Sequence, residues 1–250
     1  MVLVGTLDEA VLRPLVEQYL AGLPVSGKKM KAVDNKVRPI SGRKELLVKK
    51  GKDEKSLILQ FHTGEVTYSP ELELQAEAAV EILNIRIIEE LREKLGGIYG
   101  GGMFGSIEAE PYGNYTFVLQ LPSGPEKVDT LIKSVAAEIN QMATEGPSQK
   151  NLDKVKEQWR EQHKIRLEQN EAWLNALVQR FYPGKDIKYF TNYETYVNKL
   201  SVQDVQRVAA RLLQGPNVFT AVQIACALID IECKPVSYTH LRAHETRHDL

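Results

Sequence analysis

The chain has 250 residues, enough for one full domain with a sizeable core, or for one domain and part of another. Its 32 basic and 33 acidic residues leave a formal net charge of -1, so the balance gives no reason to expect nucleic acid or an anionic membrane surface as partner. The apolar runs are far shorter than the roughly 20 residues that cross a bilayer, and MVLVGTLDEAV reads as lacking the basic region and cleavage site of a signal peptide.

In chain order, VLVGTLD (residues 2–8) reads as a buried strand. DEAVLRPLVEQYLAGLP follows as a helix, with Asp8 at its N-cap and Val11, Leu12, Leu15, Val16 and Tyr19 at helical spacing. A chain that opens in mid-strand is expected to continue something longer. Residues 25–55, rich in Lys, Gly, Pro and Ser, read as a connector. Leu57, Leu59 and Phe61 alternate in the next strand. Ser69 and Pro70 then open a long helix as N-cap and first helical residue, with Glu71 and Glu73 at the positive end of its dipole. Leu72, Ala76, Ala79, Val80, Leu83, Ile87 and Leu91 keep one face apolar, and Gly96 and Gly97 are expected to end it.

Two strands follow, IYGGGMFGSIEAE and NYTFVLQL, joined by EPYG as an antiparallel hairpin. PEKVDTLIKSVAAEINQMATEG reads as an amphipathic helix, and residues 148–181 as a second, longer one. A helix around Thr191 to Lys199 leads to SVQDVQRVAARLLQG, whose Ser201 and Asp204 resemble a capping box, and NVFTAVQI is expected as a closing strand. The mixture predicts an α/β (α+β) fold: a two-layer domain, mainly an antiparallel sheet with helices packed on one face. Residues 1–24 repeat the strand-then-helix order expected after NVFTAVQI and read as the end of a preceding homologous domain. Residues 25–55 are then a linker, 56–224 the domain proper, and 225–250, where both cysteines (Cys226 and Cys233) fall, a tail foreign to it.

Four motifs bear on chemistry. Gly100, Gly102 and Gly105 satisfy GxGxxG, but they follow a helix and enter a strand, so their amides do not converge on a phosphate; a closely approached strand is the better reading. In LREKLGGIYGGG, Arg92 falls in the last helical turn and Tyr99 beyond the glycine break. They are a solvated arginine and a strand tyrosine, or two donors aimed at a carbonyl oxygen that gains charge. His62 reads as a surface or core-edge strand residue, and His163 in EQHK as solvated. The tail holds HETRH, a helical zinc signature with His244, Glu245 and His248. It has no third ligand downstream and no apolar stripe to dock it, so no catalytic metal is expected there, and His240 adds only adventitious binding.

The order of elements, and above all LREKLGGIY, resembles the C-terminal part of the pitrilysin or insulinase family of zinc metallopeptidases, over roughly residues 1–224. The resemblance implies repeated α/β domains in two clam-shell halves that enclose an extended peptide. It implies zinc held in the N-terminal half by HxxEH and a downstream glutamate. Arg92 and Tyr99 would hold the substrate backbone and stabilise the tetrahedral intermediate. Residues 1–224 contain only His62 and His163 and no HxxEH, so zinc is expected in the parent protein and not as a catalytic metal of this chain, which alone should be inactive. The implied partners are a peptide substrate and the N-terminal zinc-binding half, in the same protein or a partner subunit, without nucleic acid or membrane insertion. Exported relatives in the family point to a periplasmic parent. The family's non-catalytic scaffold or substrate-binding members supply the alternative.

Overall fold

The computed structural model describes residues 2–24, 27, 31–51, 55–90, 100–181 and 185–225. Among these residues five strands form one sheet: β1 (Arg43–Lys49), β2 (Ser56–Glu65), β3 (Gly102–Glu108), β4 (Asn114–Ser123) and β5 (Asn217–Ile224), in the spatial order β1-β5-β2-β4-β3. Three of its pairings are antiparallel and only β1 with β5 is parallel, so the expected mainly antiparallel sheet is present. The last strand does not close the sheet at an edge, because it lies between β1 and β2.

Among the described residues eight α-helices complete the order: α1 (Glu9–Tyr19), α2 (Pro70–Ile87), α3 (Val128–Thr144), α4 (Gln149–Leu167), α5 (Asn170–Phe181), α6 (Lys188–Thr191), α7 (Tyr193–Lys199) and α8 (Val202–Val208). The sequence's start signals operate as physical caps. The Ser69 hydroxyl accepts the Leu72 amide at 3.1 Å, and Ser201 and Asp204 exchange the two bonds of a capping box, at 3.2 and 3.0 Å.

The core lies between the sheet and the helical layer. Across the strands, Val222, Ile58 and Leu121 form one row facing the helices, and Val218, His62 and Phe117 another. Over them pack Ile82, Leu83 and Ile87 of α2, Leu131, Val135 and Met142 of α3, and Val205 and Val208 of α8. Each such side chain contributes about 1.5–3 kcal/mol relative to its exposed state. Helix α2 is apolar beyond the single stripe predicted. Leu74, Ala78 and Ile82 are buried as well as Ala79 and Leu83, because α4 covers its outer side with Leu152, Val155 and Trp159.

Several expectations need correction. Residues 2–8 form no strand, since no described strand pairs with them. Helix α1 does form, with the Asp8 carboxylate accepting the Ala10 amide at 2.9 Å, but none of its residues is buried. Strand β1 arises inside the stretch read as a connector: RKELLVK is a charged edge strand, exposed along almost its whole length, and its pattern does not resemble a core strand. The single long helix over 148–181 is two helices. The chain turns at Glu168 and Gln169, the Trp173 indole donates to the freed Leu167 carbonyl at 2.8 Å, and Ala172 and Ala176 of α5 pack with Phe190 in a small second cluster.

Candidate functional site

Arg92 and Tyr99 lie outside the described residues, as does HETRH. The structure does describe the two elements that hold their segment at either end. Helix α2 runs to Ile87 and widens into a π-helical turn over 88–90; β3 begins at Gly102. Asn84, one turn before the helix end, joins the two. Its Oδ1 accepts the Met103 amide at 2.7 Å and its Nδ2 donates to the Met103 carbonyl at 2.8 Å. Such a double bond satisfies both backbone groups of one strand residue and fixes where the strand starts relative to the helix.

Two further devices keep the frame rigid. Arg86 reaches across to Glu138 and Gln141, tying α2 to α3 through a largely buried ion pair. Gly101, with φ +99°, passes so close to β4 that a Cβ there would lie 2.1 Å from the Gln120 carbonyl oxygen. Only glycine fits, for reasons of both conformation and space. Gly105 is equally confined, with its virtual Cβ 2.0 Å from the Thr116 carbonyl oxygen. Of the GxGxxG glycines, Gly105 alone is there for close strand approach: Gly102 is approached by the Asn84 side chain, its virtual Cβ 2.7 Å from Oδ1, and Gly100 has open space around it.

The two histidines of the domain are placed differently from their expected settings. His62 is 3% exposed on the helix-facing side of β2, where its Nε2 meets the Gln60 Oε1 at 3.0 Å. Burial pushes its pKa down to about 4. His163 is not solvated, being also 3% exposed, because α6 and α7 fold over α4 and set Phe190 and Tyr193 against its ring at 5.4 and 4.9 Å. Burial lowers its pKa as well. The pair sits on separate elements. Among the described residues no group of three His, Cys, Asp or Glu side chains could hold a metal ion, so these residues do not fit a zinc site.

A family model described as the peptidase M16 inactive domain matches residues 1–159, a span that includes the whole frame around 91–99. No curated protein matches the chain in sequence. Solved structures share its fold. The periplasmic protease PqqL from Escherichia coli superposes with a TM-score of 0.71 at 18% identity, over 88% of this chain and 24% of that one. A protease from Helicobacter pylori gives 0.70 at 16% identity, over 88% and 54%. A peptidase M16 inactive domain from Pseudomonas fluorescens gives 0.66 at 19%, over 88% and 52%. The chain thus spans about a quarter of the length of PqqL and about half that of the other two.

Proposed function

Because the chain belongs to the peptidase M16 inactive-domain family, we propose that it is the substrate-side part of a zinc-dependent endopeptidase, with Arg92 and Tyr99 as its working residues. The match over residues 1–159, which contains LREKLGGIY, carries this reading. An arginine is charged at every physiological pH and offers five donors in a fixed fork, suited to a peptide carbonyl whose oxygen becomes negative. A tyrosine hydroxyl gives a second donor to the same oxygen. Donors held in place before reaction stabilise that charge without reorganising, and Asn84, Arg86 and Gly101 tie down the helix end and the strand start on either side of the stretch that carries them. The nucleophile and its activation belong to the zinc-binding half. Helix α1, with Val11, Leu15 and Tyr19 exposed at 61%, 46% and 66%, supports residues 1–24 as the end of a preceding homologous domain against which that stripe packs.

The test is reconstitution. The 250-residue chain alone should leave an internally quenched peptide intact, and mixing it with a separately expressed N-terminal half of the parent should restore cleavage. Cleavage by the chain alone contradicts the proposal. The word inactive in the family description also suits a second reading, a non-catalytic scaffold or substrate-binding partner. An upstream sequence without HxxEH favours that reading, and an upstream HxxEH favours the peptidase.

A further inference from the structure

At the end of α2 opposite the Asn84 clamp, α2, α4, α5, α6 and α7 enclose a recess of about 270 Å³. Its chemistry is unusual for a surface hollow. Glu77 of α2, Arg166 of α4 and Arg180 of α5 all line it, and among the described residues none of their side chains makes a hydrogen bond or an ion pair. Opposite charges that could neutralise one another face a common space without meeting. The Arg180 guanidinium is instead stacked 3.9 Å over the Tyr189 ring, while that of Arg166, exposed as a residue, lies 5.8 Å from the centre of Phe190. Stacking fixes a guanidinium plane while leaving its N–H edge available. His163 also lines the recess, 97% buried by its 3% exposure, and its ring nitrogens make no hydrogen bond among the described residues.

We propose that this recess binds a compact zwitterion of the free α-amino acid class, its carboxylate on Arg166 and Arg180 and its ammonium on Glu77. Its side chain would rest on Phe190 and Ala176. A lone anion would meet the Glu77 carboxylate, and a lone cation the two guanidinium groups; only a ligand with both charges satisfies both walls. Glu73 also lines the recess, its Oε2 accepting the Tyr68 hydroxyl at 2.7 Å, and adds a second carboxylate to the wall that faces the ammonium.

Protonation supports the same assignment. Glu77 is exposed as a residue, yet desolvation of its carboxyl, with the neighbouring Glu73, pushes its pKa up to about 7. The groups facing it are Glu73 and Glu81 on α2, Arg166 and His163 on α4, Arg180 on α5, Tyr189 on α6 and Tyr193 on α7. The acids add to the upward shift and the arginines oppose it. The ligand's ammonium needs the carboxylate form, so affinity should fall as pH falls through about 7.

The experiment is calorimetric titration of the full 250-residue chain with L-leucine at about pH 8. The comparison ligands are 4-methylpentanoate, which keeps only the carboxylate, and 3-methylbutylamine, which keeps only the ammonium. Leucine should bind, and each single-charge analogue at least about 10-fold more weakly, since each forfeits one charge-assisted contact. Glu77→Gln and Arg180→Gln should each weaken leucine about 10-fold, and Glu77→Gln should remove the pH dependence. Absence of leucine binding in the millimolar range overturns the proposal, as does an analogue that binds as tightly as leucine, or affinity unchanged in both variants. The ligand comparison uses the unaltered chain, so it decides the matter even if a variant fails to fold. The proposal is independent of peptide cleavage and survives or fails apart from it.

Discussion

At its C-terminal end α2 is joined to the rest of the domain by side chains that find backbone and opposite charge: Asn84 holds Met103, and Arg86 holds Glu138 and Gln141. At its N-terminal end the helix is well capped, but its second turn presents Glu77 to Arg166 and Arg180 without pairing. Between them Ala78, Ala79, Val80, Ile82 and Leu83 are buried in the core. One helix thus carries a satisfied end, joined to β3 and α3, and an unsatisfied end that leaves charge available. Where polar groups close on one another they position; where the fold holds them apart they are free to bind.

This contrast can be broken at several points. Leu83→Ala, in the middle of α2, should cost about 2–5 kcal/mol in urea unfolding and weaken both ends together. A loss below about 1 kcal/mol would show that α2 is not the rigid element supposed here. The next largest effect is acid destabilisation through His62. Its folded pKa of about 4 lies below the ordinary 6.5, so the stability it contributes is present above pH 6.5 and is lost as pH falls through about 4. That loss is on the order of 3 kcal/mol. Glu77 acts in the opposite sense: its pKa is raised from 4.5 to about 7, so its contribution is present below 4.5 and is lost as pH rises through about 7. Urea midpoints measured across this range should therefore fall less steeply on the acid side in His62→Gln, and parallel curves for the two proteins would remove His62 as the cause.

Asn84→Ala should cost about 1–3 kcal/mol by leaving the Met103 amide and carbonyl without their partners. It should lower reconstituted peptide cleavage while leaving leucine affinity at the other end unchanged. Loss of both together would mean that the ends of α2 are not separable. Ser69→Ala should cost about 1 kcal/mol, read as a small drop in thermal midpoint, with cleavage unaffected.

Much of this architecture is legible in the amino-acid order because local rules and tertiary packing agree. Ser69 and Pro70 start α2, Ser201 and Asp204 start α8, and the alternation of Tyr115, Phe117, Leu119 and Leu121 points these side chains to the core. The failures occur where packing decides against local pattern. VLVGTLD has a strand's composition but no described neighbour to bond with, whereas RKELLVK has an edge strand's charges and gains a neighbour in β5 from the far end of the sequence. Nothing glycine- or proline-like marks the break between α4 and α5, and EQHK gives no sign that aromatic rings from α6 and α7 will cover His163.

The candidate site shows the same division. The proposed pair Arg92 and Tyr99 falls within one short stretch and is legible there, but Asn84 and Gly101, which fix the helix end and the strand start on either side, carry no signature. The recess is less legible still. Glu77, His163, Arg166, Arg180 and Tyr189 come from four helices, and no spacing along the chain brings them together.

The most direct measurement is the steady-state kinetics of the reconstituted enzyme carrying Arg92→Ala or Tyr99→Phe. Each should lower kcat/KM by about 10²–10³-fold, and Tyr99→Phe should act mainly on kcat, as expected for a donor whose bond strengthens in the transition state. Reconstituted cleavage that is undiminished in both variants would contradict the claim that this chain contributes its chemistry through the segment clamped between α2 and β3.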